Sequence, residues 1–325
     1  MSSDVELDSL VKRALAREPA AVARAISVAE DRRASLEPVA EELLRKLSRG
    51  GHPASARRVG ITGPPGVGKS SLTSRLVQRY RELGRTVGVL AVDPSSPRSG
   101  GALLGDRARL ELDPDDAGSF VRSMASGGQL GGLARAAGAA VEVLCAVYDV
   151  VLIETTGVGQ SETDVEHVAD SVLLVIQPAS GDVLSFIKAG ILEIPDVLAV
   201  NKADLGSVAE RAFSDLQAAL VVSAEASGGS PPPVLLTSAT TRAGVDELVR
   251  VLDERYERLV SEGKLEQLRV AKSAAWAYRQ FRERYGERGV ERAGGKDQLV
   301  ATLTQAIANG ENFLESMRRA AVREP

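Results

Sequence analysis

The feature that most constrains the fold of this chain is an eight-residue stretch that fits the pattern G-x-x-x-x-G-K-[ST]. It reads Gly63-Pro64-Pro65-Gly66-Val67-Gly68-Lys69-Ser70. A short β-prone run, Val59–Thr62, precedes the stretch, and apolar residues at helical spacing follow it from Ser71 onward. A strand, a glycine loop and a helix in this order are the setting in which the pattern forms a phosphate-binding P-loop. We therefore predict a nucleotide site at this loop.

The residue types in the loop suit a polyphosphate. The glycines let backbone N–H groups converge on phosphate oxygens, and the helix that follows adds the partial positive charge of its first turn. Lys69 supplies a cation for the β- and γ-phosphates, and Ser70 offers a hydroxyl to Mg²⁺. We assign the whole run from Gly63 to Ser71 to nucleotide binding. The alternative is a glycine turn without a ligand, and the flanking strand and helix argue against it.

Composition argues against several other classes of protein. A net charge of −4 disfavours a nucleic-acid partner, which needs a basic surface. A single cysteine, Cys145, leaves no disulfide framework and suits a reducing cytoplasm. No apolar run reaches the roughly 18 residues of a spanning helix, and the first residues lack the apolar region of a signal peptide. We expect a cytoplasmic protein with no membrane and no nucleic-acid partner.

Strand-like and helix-like runs alternate from residue 59 onward. The strand-like runs are apolar on both faces, as buried parallel strands are: Val59–Thr62, Val87–Val92, Asp149–Ile153, Val172–Ile176, Val197–Val200 and Val234–Leu236. Helical patterns lie between or after them, at Ser70–Leu83, Leu130–Val147, Glu162–Ala169, Val183–Ile194, Val208–Ala226 and Val245–Glu262. The alternation predicts a doubly wound α/β fold with a mostly parallel sheet, whose ligands bind at the carboxyl ends of the strands.

Helical sequence flanks this region on both sides. An amphipathic stripe in the first part consists of Leu36, Val39, Leu43 and Leu47. A longer stripe in the last part runs from Leu265 to Tyr285, and after a glycine break at 293–295 a further helix is predicted from Gln298 to Arg319. We predict a helical segment over 1–55, a nucleotide domain over 56–262 and a helical arm over 263–325. The arm packs on the chain's own core or forms a dimer or partner surface.

A second motif, Asn201-Lys202-Ala203-Asp204, follows the strand at 197–200. The Asp204 carboxylate can accept hydrogen bonds from the N1–H and the 2-amino group of guanine. Adenine has neither donor, so it would leave the carboxylate unpaired and be rejected by a factor on the order of 10⁴. Asn201 would tie this loop to the P-loop, and the stem of Lys202 would lie along the base. Ser238-Ala239, after the last strand, fits a further base-contact loop with a backbone N–H to the guanine oxygen.

Acidic residues follow two other strands. Glu154, in the run Glu154-Thr155-Thr156-Gly157, ends a strand opposite the P-loop. An acid at this position suits indirect binding of Mg²⁺, in which the carboxylate holds the groups that coordinate the ion. Gly157 could bring a backbone N–H to the γ-phosphate and act as a hinge. Asp93 ends the second strand and Asp106 follows a glycine-rich stretch, so both are candidates for Mg²⁺ or for orienting the attacking water. The alternative interpretations are a polar strand end at Glu154, a capping Asp93 and a loop Asp106.

Together these stretches resemble one family. The glycine loop, the runs DPSSP at 93–97 and LGDR at 104–107, the run ETTGVGQSE at 154–162 and NKAD are similar to the MeaB/ArgK family of G proteins, called the MMAA type in animals. The resemblance covers roughly residues 20–260. Members of this family are chaperones of adenosylcobalamin-dependent acyl-CoA mutases such as methylmalonyl-CoA mutase.

The resemblance implies a homodimeric GTPase with GTP or GDP and Mg²⁺ as ligands. Such a protein would gate the loading of adenosylcobalamin into the mutase and protect the mutase from inactivation. Its catalytic residues would be Lys69, Asp93 and Glu154. By the same resemblance, Ser70 would bind phosphate and Mg²⁺, and Asn201, Lys202 and Asp204 would bind guanine. Asp93 and Asp106 would lie in the first switch and Glu154 in the second. Asp182 and Lys188 would lie in a third mobile loop, in which Lys188 contacts the partner.

Departures from the family pattern leave the identity of the mutase open. Thr156 stands where valine is usual, Gly127-Gly128 where an Arg-Gly pair is common, and Pro178-Ala179-Ser180 where a glycine-bearing loop is usual. The chain after Gly263 matches less well. No glutamine stands at the usual water-positioning place, and Gln160 is a weak candidate, so we predict slow hydrolysis that a partner accelerates.

Two other functions are the alternatives. A metallochaperone GTPase that delivers nickel or a similar metal would need clustered cysteine and histidine, whereas the chain has one cysteine and two histidines. An ArgK-type kinase of amino-acid transport components would accept ATP, which the NKAD motif disfavours.

Overall fold

The computed structural model describes residues 2–31, 33, 35–51, 55–93, 110, 113, 115–125, 136–155, 164–178 and 195–322. The chain divides into two units. The first gathers Met1–Ala56, Arg135–Val147 and Leu259–Pro325, and the second gathers Arg57–Ala134 and Tyr148–Arg258.

Parallel strands form the centre of the second unit. They are β1 (Arg57–Thr62), β2 (Val87–Asp93), β3 (Ser119–Ala125), β4 (Val150–Glu154), β5 (Ser171–Ile176), β6 (Val197–Val200) and β7 (Val234–Leu236). They pair in the order β3-β2-β4-β1-β5-β6-β7, and every described pair is parallel. The P-loop strand β1 therefore lies between β4 and β5, and the residues after all three strands meet at one edge of the sheet.

The α-helices in the described part of the chain are ten in number. They are α1 (Ser2–Leu15), α2 (Pro19–Glu30), α3 (Glu37–Gly50), α4 (Lys69–Glu82), α5 (Ala137–Val147), α6 (Ser207–Ser227), α7 (Val245–Ser261), α8 (Leu265–Arg292), α9 (Lys296–Ala308) and α10 (Phe313–Val322). Gly286 has φ +67° and ψ −177°, so α8 is kinked there. None of the helices described is long and apolar enough to cross a bilayer.

Helices cover the sheet on both faces. On one face, Leu72 and Leu76 of α4 and Leu252 of α7 pack in one cluster with alternate residues of the strands, such as Ile61 and Leu152. On the other face, α6 packs its Leu216 and Leu220 in a second cluster with β5, β6 and β7. Because helices cover both faces of these strands, the side chains on both faces are buried, which explains why the sequences are continuous apolar runs.

The first unit consists of helices alone in its described part. α5 packs against α2 and α3, and α8, α9 and α10 pack on one another. α5 has almost no exposed side chain, and its Gly138 lies against Trp276 of α8, where a Cβ would be 2.4 Å from Nε1. Glu41 of α3, buried in this unit, accepts hydrogen bonds from Nε of Arg318 in α10 at 2.9 and 3.0 Å.

The predicted α/β fold is confirmed, and six strands lie within two residues of their predicted bounds. The strand β3 was not predicted. It is an edge of the described sheet, and Met124 is its one buried side chain, so it lacks the apolar character that marks the other strands.

Two of the helical predictions need correction. The described part of Glu162–Ala169, from Asp164 onward, contains a short 3₁₀ turn, Val165–His167, which ends at Val168 (φ −116°, ψ −6°) before β5 begins at Ser171. The predicted helix from Gln298 to Arg319 is two helices, since Gly310 has φ +91° and the Asn312 side chain caps α10 through the N–H of Glu315 at 3.0 Å.

The predicted stripe in α3 also needs correction. The buried face is formed by Ala40, Leu43, Leu44 and Leu47, and Val39 is exposed. The predicted Leu130–Val147 helix is described from Ala137 onward, and Val183–Ile194 lies outside the described residues.

Candidate functional site

The P-loop connects β1 to α4, as its sequence pattern predicts. Gly63 has φ +141°, and a Cβ there would lie 2.0 Å from the carbonyl oxygen of Val175 in β5. Gly68 has φ +92°, and a Cβ there would lie 2.6 Å from Nδ2 of Asn201. A side chain at either position would collide with its neighbour, so these glycines allow the loop to approach β5 and the loop after β6.

Lys69, the first residue of α4, is folded against its own loop. Its side chain is buried, and Nζ donates hydrogen bonds to the carbonyl oxygens of Gly63 at 2.7 Å and Pro64 at 3.0 Å. The ammonium group thus lies against the first residues of the loop that the sequence assigns to phosphate binding.

Glu154 joins the end of β4 to the start of α4. Its carboxylate is 4% exposed and accepts hydrogen bonds from Oγ of Ser70 at 2.6 Å and Oγ1 of Thr73 at 3.0 Å. The structure brings the predicted pair Ser70 and Glu154 together because β4 is the neighbour of β1. Thr73 was not predicted, although its position three residues after Ser70 places it on the same side of the helix.

Asn201 connects three loops. Its Nδ2 donates to the carbonyl oxygen of Val67 at 2.9 Å, which fastens the loop after β6 to the P-loop as predicted. Its Oδ1 accepts from the backbone N–H of Ala239 at 3.2 Å and from Oγ1 of Thr237 at 3.4 Å. The N–H of Ala239, which the sequence assigns to a guanine oxygen, therefore donates to Asn201 here.

Lys202, the next residue, also joins the loop after β6 to the P-loop. It has φ +63°, and its Nζ donates to the carbonyl oxygen of Gly66 at 2.9 Å and to Oε1 of Gln177. Gln177 follows β5 directly and was not predicted. The rule that identified Glu154, a polar residue at the end of a buried strand, would have found it.

Asp204 lies on the solvent side of this arrangement. Its side chain is exposed, and Oδ1 accepts a hydrogen bond from the hydroxyl of the buried Ser238. Oγ of Ser238 in turn accepts from the backbone N–H of Thr241 at 3.1 Å. The structure thus brings the two predicted base-contact segments, 201–204 and 238–239, into direct contact.

Of the other predicted site residues, the structure describes the backbone of Asp93. Asp93 ends β2 two residues beyond Ala91, whose register partner is Glu154, so its backbone lies at the same edge of the sheet. Asp106, Gly157, Asp182 and Lys188 lie outside the described residues, as does Gln160. Within the described ranges, no group of three or more His, Cys, Asp or Glu residues is placed to hold a metal.

Comparisons with known proteins bear on this site. The sequence profile of the family described as "Methylmalonyl Co-A mutase-associated GTPase MeaB" matches residues 22–293. A "Putative GTPase" of Caulobacter vibrioides is 41% identical over 312 residues, which are 94% of this chain and 94% of the relative. The "Methylmalonic aciduria type A homolog, mitochondrial" of Caenorhabditis elegans is 34% identical over 293 residues, covering 86% of this chain and 73% of the relative.

A solved structure is similar over nearly the whole chain. It is the crystal structure of a protein named "LAO/AO transport system kinase", and it matches with a TM-score of 0.66 and 25% sequence identity. The match covers 98% of this chain and 97% of the other.

Proposed function

The chain belongs to the MeaB family of GTPases, and we propose that its hydrolysis of GTP serves an adenosylcobalamin-dependent acyl-CoA mutase. Two similarities support a mutase partner: the family profile is that of a methylmalonyl-CoA mutase-associated GTPase, and the Caenorhabditis relative is named for methylmalonic aciduria. In this proposal the chain gates the loading of adenosylcobalamin into methylmalonyl-CoA mutase or a close relative, and protects the mutase. We further propose that it acts as a cytoplasmic homodimer.

The observation that carries the nucleotide assignment is the set of bonds that Asn201 makes. The Asn201 side chain holds the P-loop and the segment at 237–239 at fixed distances from the loop that contains Asp204. In the proposed complex, the run from Gly63 to Ser71 binds the phosphates and Asp204 reads the guanine base. Binding a base and its phosphates at the same time requires this fixed separation, and a rigid site loses little freedom when the ligand binds.

Lys69 would change partners when the nucleotide binds. Its ammonium group donates to two carbonyl oxygens of the loop, at 2.7 and 3.0 Å. Negatively charged phosphate oxygens are stronger acceptors than these carbonyls, since hydrogen bonds between two charged groups are the stronger kind. We propose that Lys69 exchanges the carbonyls of Gly63 and Pro64 for the β- and γ-phosphates.

The residues at the end of β4 fit a magnesium ion. Mg²⁺ prefers oxygen ligands and usually keeps several waters, and Ser70 and Glu154 offer a hydroxyl and a carboxylate that lie 2.6 Å apart. We propose that Ser70 is a direct ligand and that Glu154 orients Ser70 and the waters of the ion. The ion would neutralise charge that develops on the phosphates. Glu154 holds the Ser70 hydroxyl in place before any ligand binds, which reduces rearrangement on binding.

Hydrolysis of GTP needs positioning and charge stabilisation more than covalent chemistry. Lys69, Ser70 and Glu154 supply these for the phosphates, while Asp93 and Asp106 remain candidates for orienting the water. We propose that turnover is slow for the chain alone and rises when the mutase orders the residues near the γ-phosphate, with Asp182 and Lys188 contacting the partner.

A rival function predicts a different nucleotide substrate. A transport-component kinase, the activity for which the similar crystal structure is named, would transfer phosphate from ATP to a protein. A comparison of GTP and ATP as substrates separates the kinase from the GTPase.

Single-turnover GTP hydrolysis with and without the purified mutase tests the proposal. We expect the rate constant to rise at least tenfold with the cognate mutase and to stay unchanged with an unrelated acyl-CoA enzyme. An equal rate under all three conditions would contradict the partner assignment.

A further inference from the structure

Arg75 connects the P-loop helix to the loop after β7. Its Nε donates a hydrogen bond to the carbonyl oxygen of Ala239 at 2.7 Å, and its Nη1 donates to Oε1 of Gln78 at 3.0 Å on the same helix. Arg75 lies outside every motif in the sequence. Its guanidinium nevertheless reaches the segment that the proposed function assigns to the guanine base.

Ala239 is the point at which several of these bonds meet. It is 9% exposed, its N–H donates to Oδ1 of Asn201 at 3.2 Å, and the hydroxyl of the preceding Ser238 donates to Asp204. Arg75 binds the same residue through its carbonyl oxygen. Because the donor carries a charge and the acceptor is shielded from water, this bond is of the stronger kind.

Two ion pairs in the described part of the chain also join α4 to residues beyond Ala239, and each includes a well-exposed partner. Arg242 Nη2 donates to Oε1 of Glu82 at 2.6 Å, and this bond lowers the pKa of the Glu82 carboxyl. Arg79 Nε lies 2.8 Å from Oδ1 of Asp246. Exposed ion pairs contribute little to stability. Ala239 also belongs to the apolar cluster that includes Leu72 and Leu76 of α4, and Arg75 adds a charged hydrogen bond to the Ala239 carbonyl itself.

We propose that Arg75 is a positioning residue for guanine recognition. It holds the Ala239 carbonyl so that Ser238 stays beside Asp204 and the carboxylate is oriented before the base arrives. This inference rests on the proposed assignment of Asp204 and the 238–239 segment to guanine. Without the guanidinium, the Ala239 carbonyl would turn to water and the segment would adopt several conformations.

The consequence is specific to the base. Loss of Arg75 weakens contacts with guanine, whereas the phosphates are bound by the P-loop, which Arg75 leaves intact. The variant Arg75→Met keeps much of the side-chain volume and removes every donor. We expect the Kd for GDP to rise about tenfold, the effect of losing 1.4 kcal/mol, and the Kd for ADP to stay within about twofold.

Catalysis and a conservative variant add further readouts. The kcat of Arg75→Met at saturating GTP should stay within about twofold of the parent, because Lys69, Ser70 and Glu154 are unchanged, while KM rises with the Kd. Arg75→Lys keeps a cation that can reach the carbonyl, so its Kd for GDP should lie within about threefold of the parent.

The matched control is Arg79→Met, an arginine one turn further along α4 that pairs with Glu82 and Asp246. It should leave both dissociation constants unchanged. If Arg75→Met binds GDP as tightly as Arg79→Met does, the proposal is wrong. It is also wrong if the affinities for GDP and ADP fall by the same factor, since that result describes a general effect on the fold.

Asp204→Asn in the same assay separates this inference from the assignment on which it rests. If Asp204→Asn keeps the parent ratio of GDP to ADP affinity, the guanine assignment fails and Arg75 loses its role with it. If Asp204→Asn loses the ratio while Arg75→Met keeps it, only the inference about Arg75 fails.

Discussion

The side-chain amide of Asn201 donates a hydrogen bond to the carbonyl oxygen of Val67, 2.9 Å away, and Asn201 itself is 1% exposed. Together with the bond from Lys202 Nζ to the Gly66 carbonyl, this bond fastens the loop after β6 to the P-loop after β1. The two strands are not neighbours, because β5 lies between them. The bond therefore spans a strand of the sheet and fixes the distance between the proposed phosphate and base contacts.

Asn201→Ala removes the amide from this junction. The buried Val67 carbonyl and the Ala239 N–H would each lose a partner, which costs about 1–3 kcal/mol for each unsatisfied group. We expect a lower melting temperature and a Kd for GDP at least tenfold higher, measured by thermal unfolding and by calorimetry. An unchanged Kd for GDP would show that the two loops do not act together on one nucleotide.

Lys69→Ala removes the cation from the loop. Because Lys69 is the charge proposed to hold the β- and γ-phosphates, we expect nucleotide binding to fall below detection in a fluorescence titration with GDP. Lys264→Ala, a change at an exposed lysine beside Glu262, is the control and should bind normally. Tight GDP binding by Lys69→Ala would refute the P-loop assignment.

Glu154→Gln keeps the size of the side chain and removes its charge. The carboxylate accepts hydrogen bonds from both Ser70 and Thr73, and an amide can accept through only one of its two end atoms. Changes in groups that orient metal ligands typically cost 10- to 100-fold in affinity or activity. We expect the Mg²⁺ concentration for half-maximal GTP hydrolysis to rise by about that factor.

Thr73→Val is the matched control for Glu154→Gln, because it removes one hydroxyl and leaves the Ser70–Glu154 bond. It should require much less additional Mg²⁺ than Glu154→Gln does. Equal Mg²⁺ titrations for the parent and Glu154→Gln would exclude a role for this carboxylate in metal binding.

Two neighbouring glutamates of α3 should give opposite pH dependences of stability. Burial raises the pKa of Glu41 above its ordinary value of 4.5, despite its bond to Arg318, while a hydrogen bond from Arg45 lowers the pKa of Glu42. At pH values between the ordinary pKa and the raised pKa, Glu41 is protonated more fully in the folded chain than in the unfolded chain. Its contribution to stability is therefore present at low pH and is lost as the pH rises through the folded pKa.

For Glu42 the sign is reversed. Its contribution is present above the ordinary pKa and is lost as the pH falls through the lowered value. Urea unfolding at a series of pH values should show that Glu41→Gln flattens a fall in stability above pH 4.5, relative to the parent. Glu42→Gln should instead flatten a loss below pH 4.5. If the free energy of unfolding changed with pH in the same way for both variants, the raised pKa of Glu41 would be contradicted.

Local sequence was sufficient for the strands that are apolar on both faces. β1, β2, β4, β5, β6 and β7 follow from their composition, because burial between two helical layers requires apolar residues on each side. β3 has one buried side chain, Met124, and its pairing with β2 is what makes it a strand. Pairing is a contact between residues distant in the chain, so a short window of sequence does not contain it.

The candidate site divides in the same way. Glycine loops and a strand-end carboxylate are local signals, and they led to Lys69, Ser70, Glu154, Asn201 and Asp204. Three side chains that contact the site have no motif of their own: Thr73 binds Glu154, Gln177 binds Lys202, and Arg75 binds the carbonyl of Ala239. Each is a common residue type in an ordinary position, and only its neighbours in space give it a role.

The P-loop, the α/β class, the family and the guanine-type motif follow from local sequence, because backbone geometry and purine chemistry restrict these positions to particular residue types. The tertiary structure alone decided which backbone groups the Asn201 side chain binds, namely the carbonyl of Val67 and the N–H of Ala239, and that Arg75 donates to the Ala239 carbonyl. The strand order places those residues side by side, and hydrogen bonds of about 3 Å form only between groups that the whole fold has brought together.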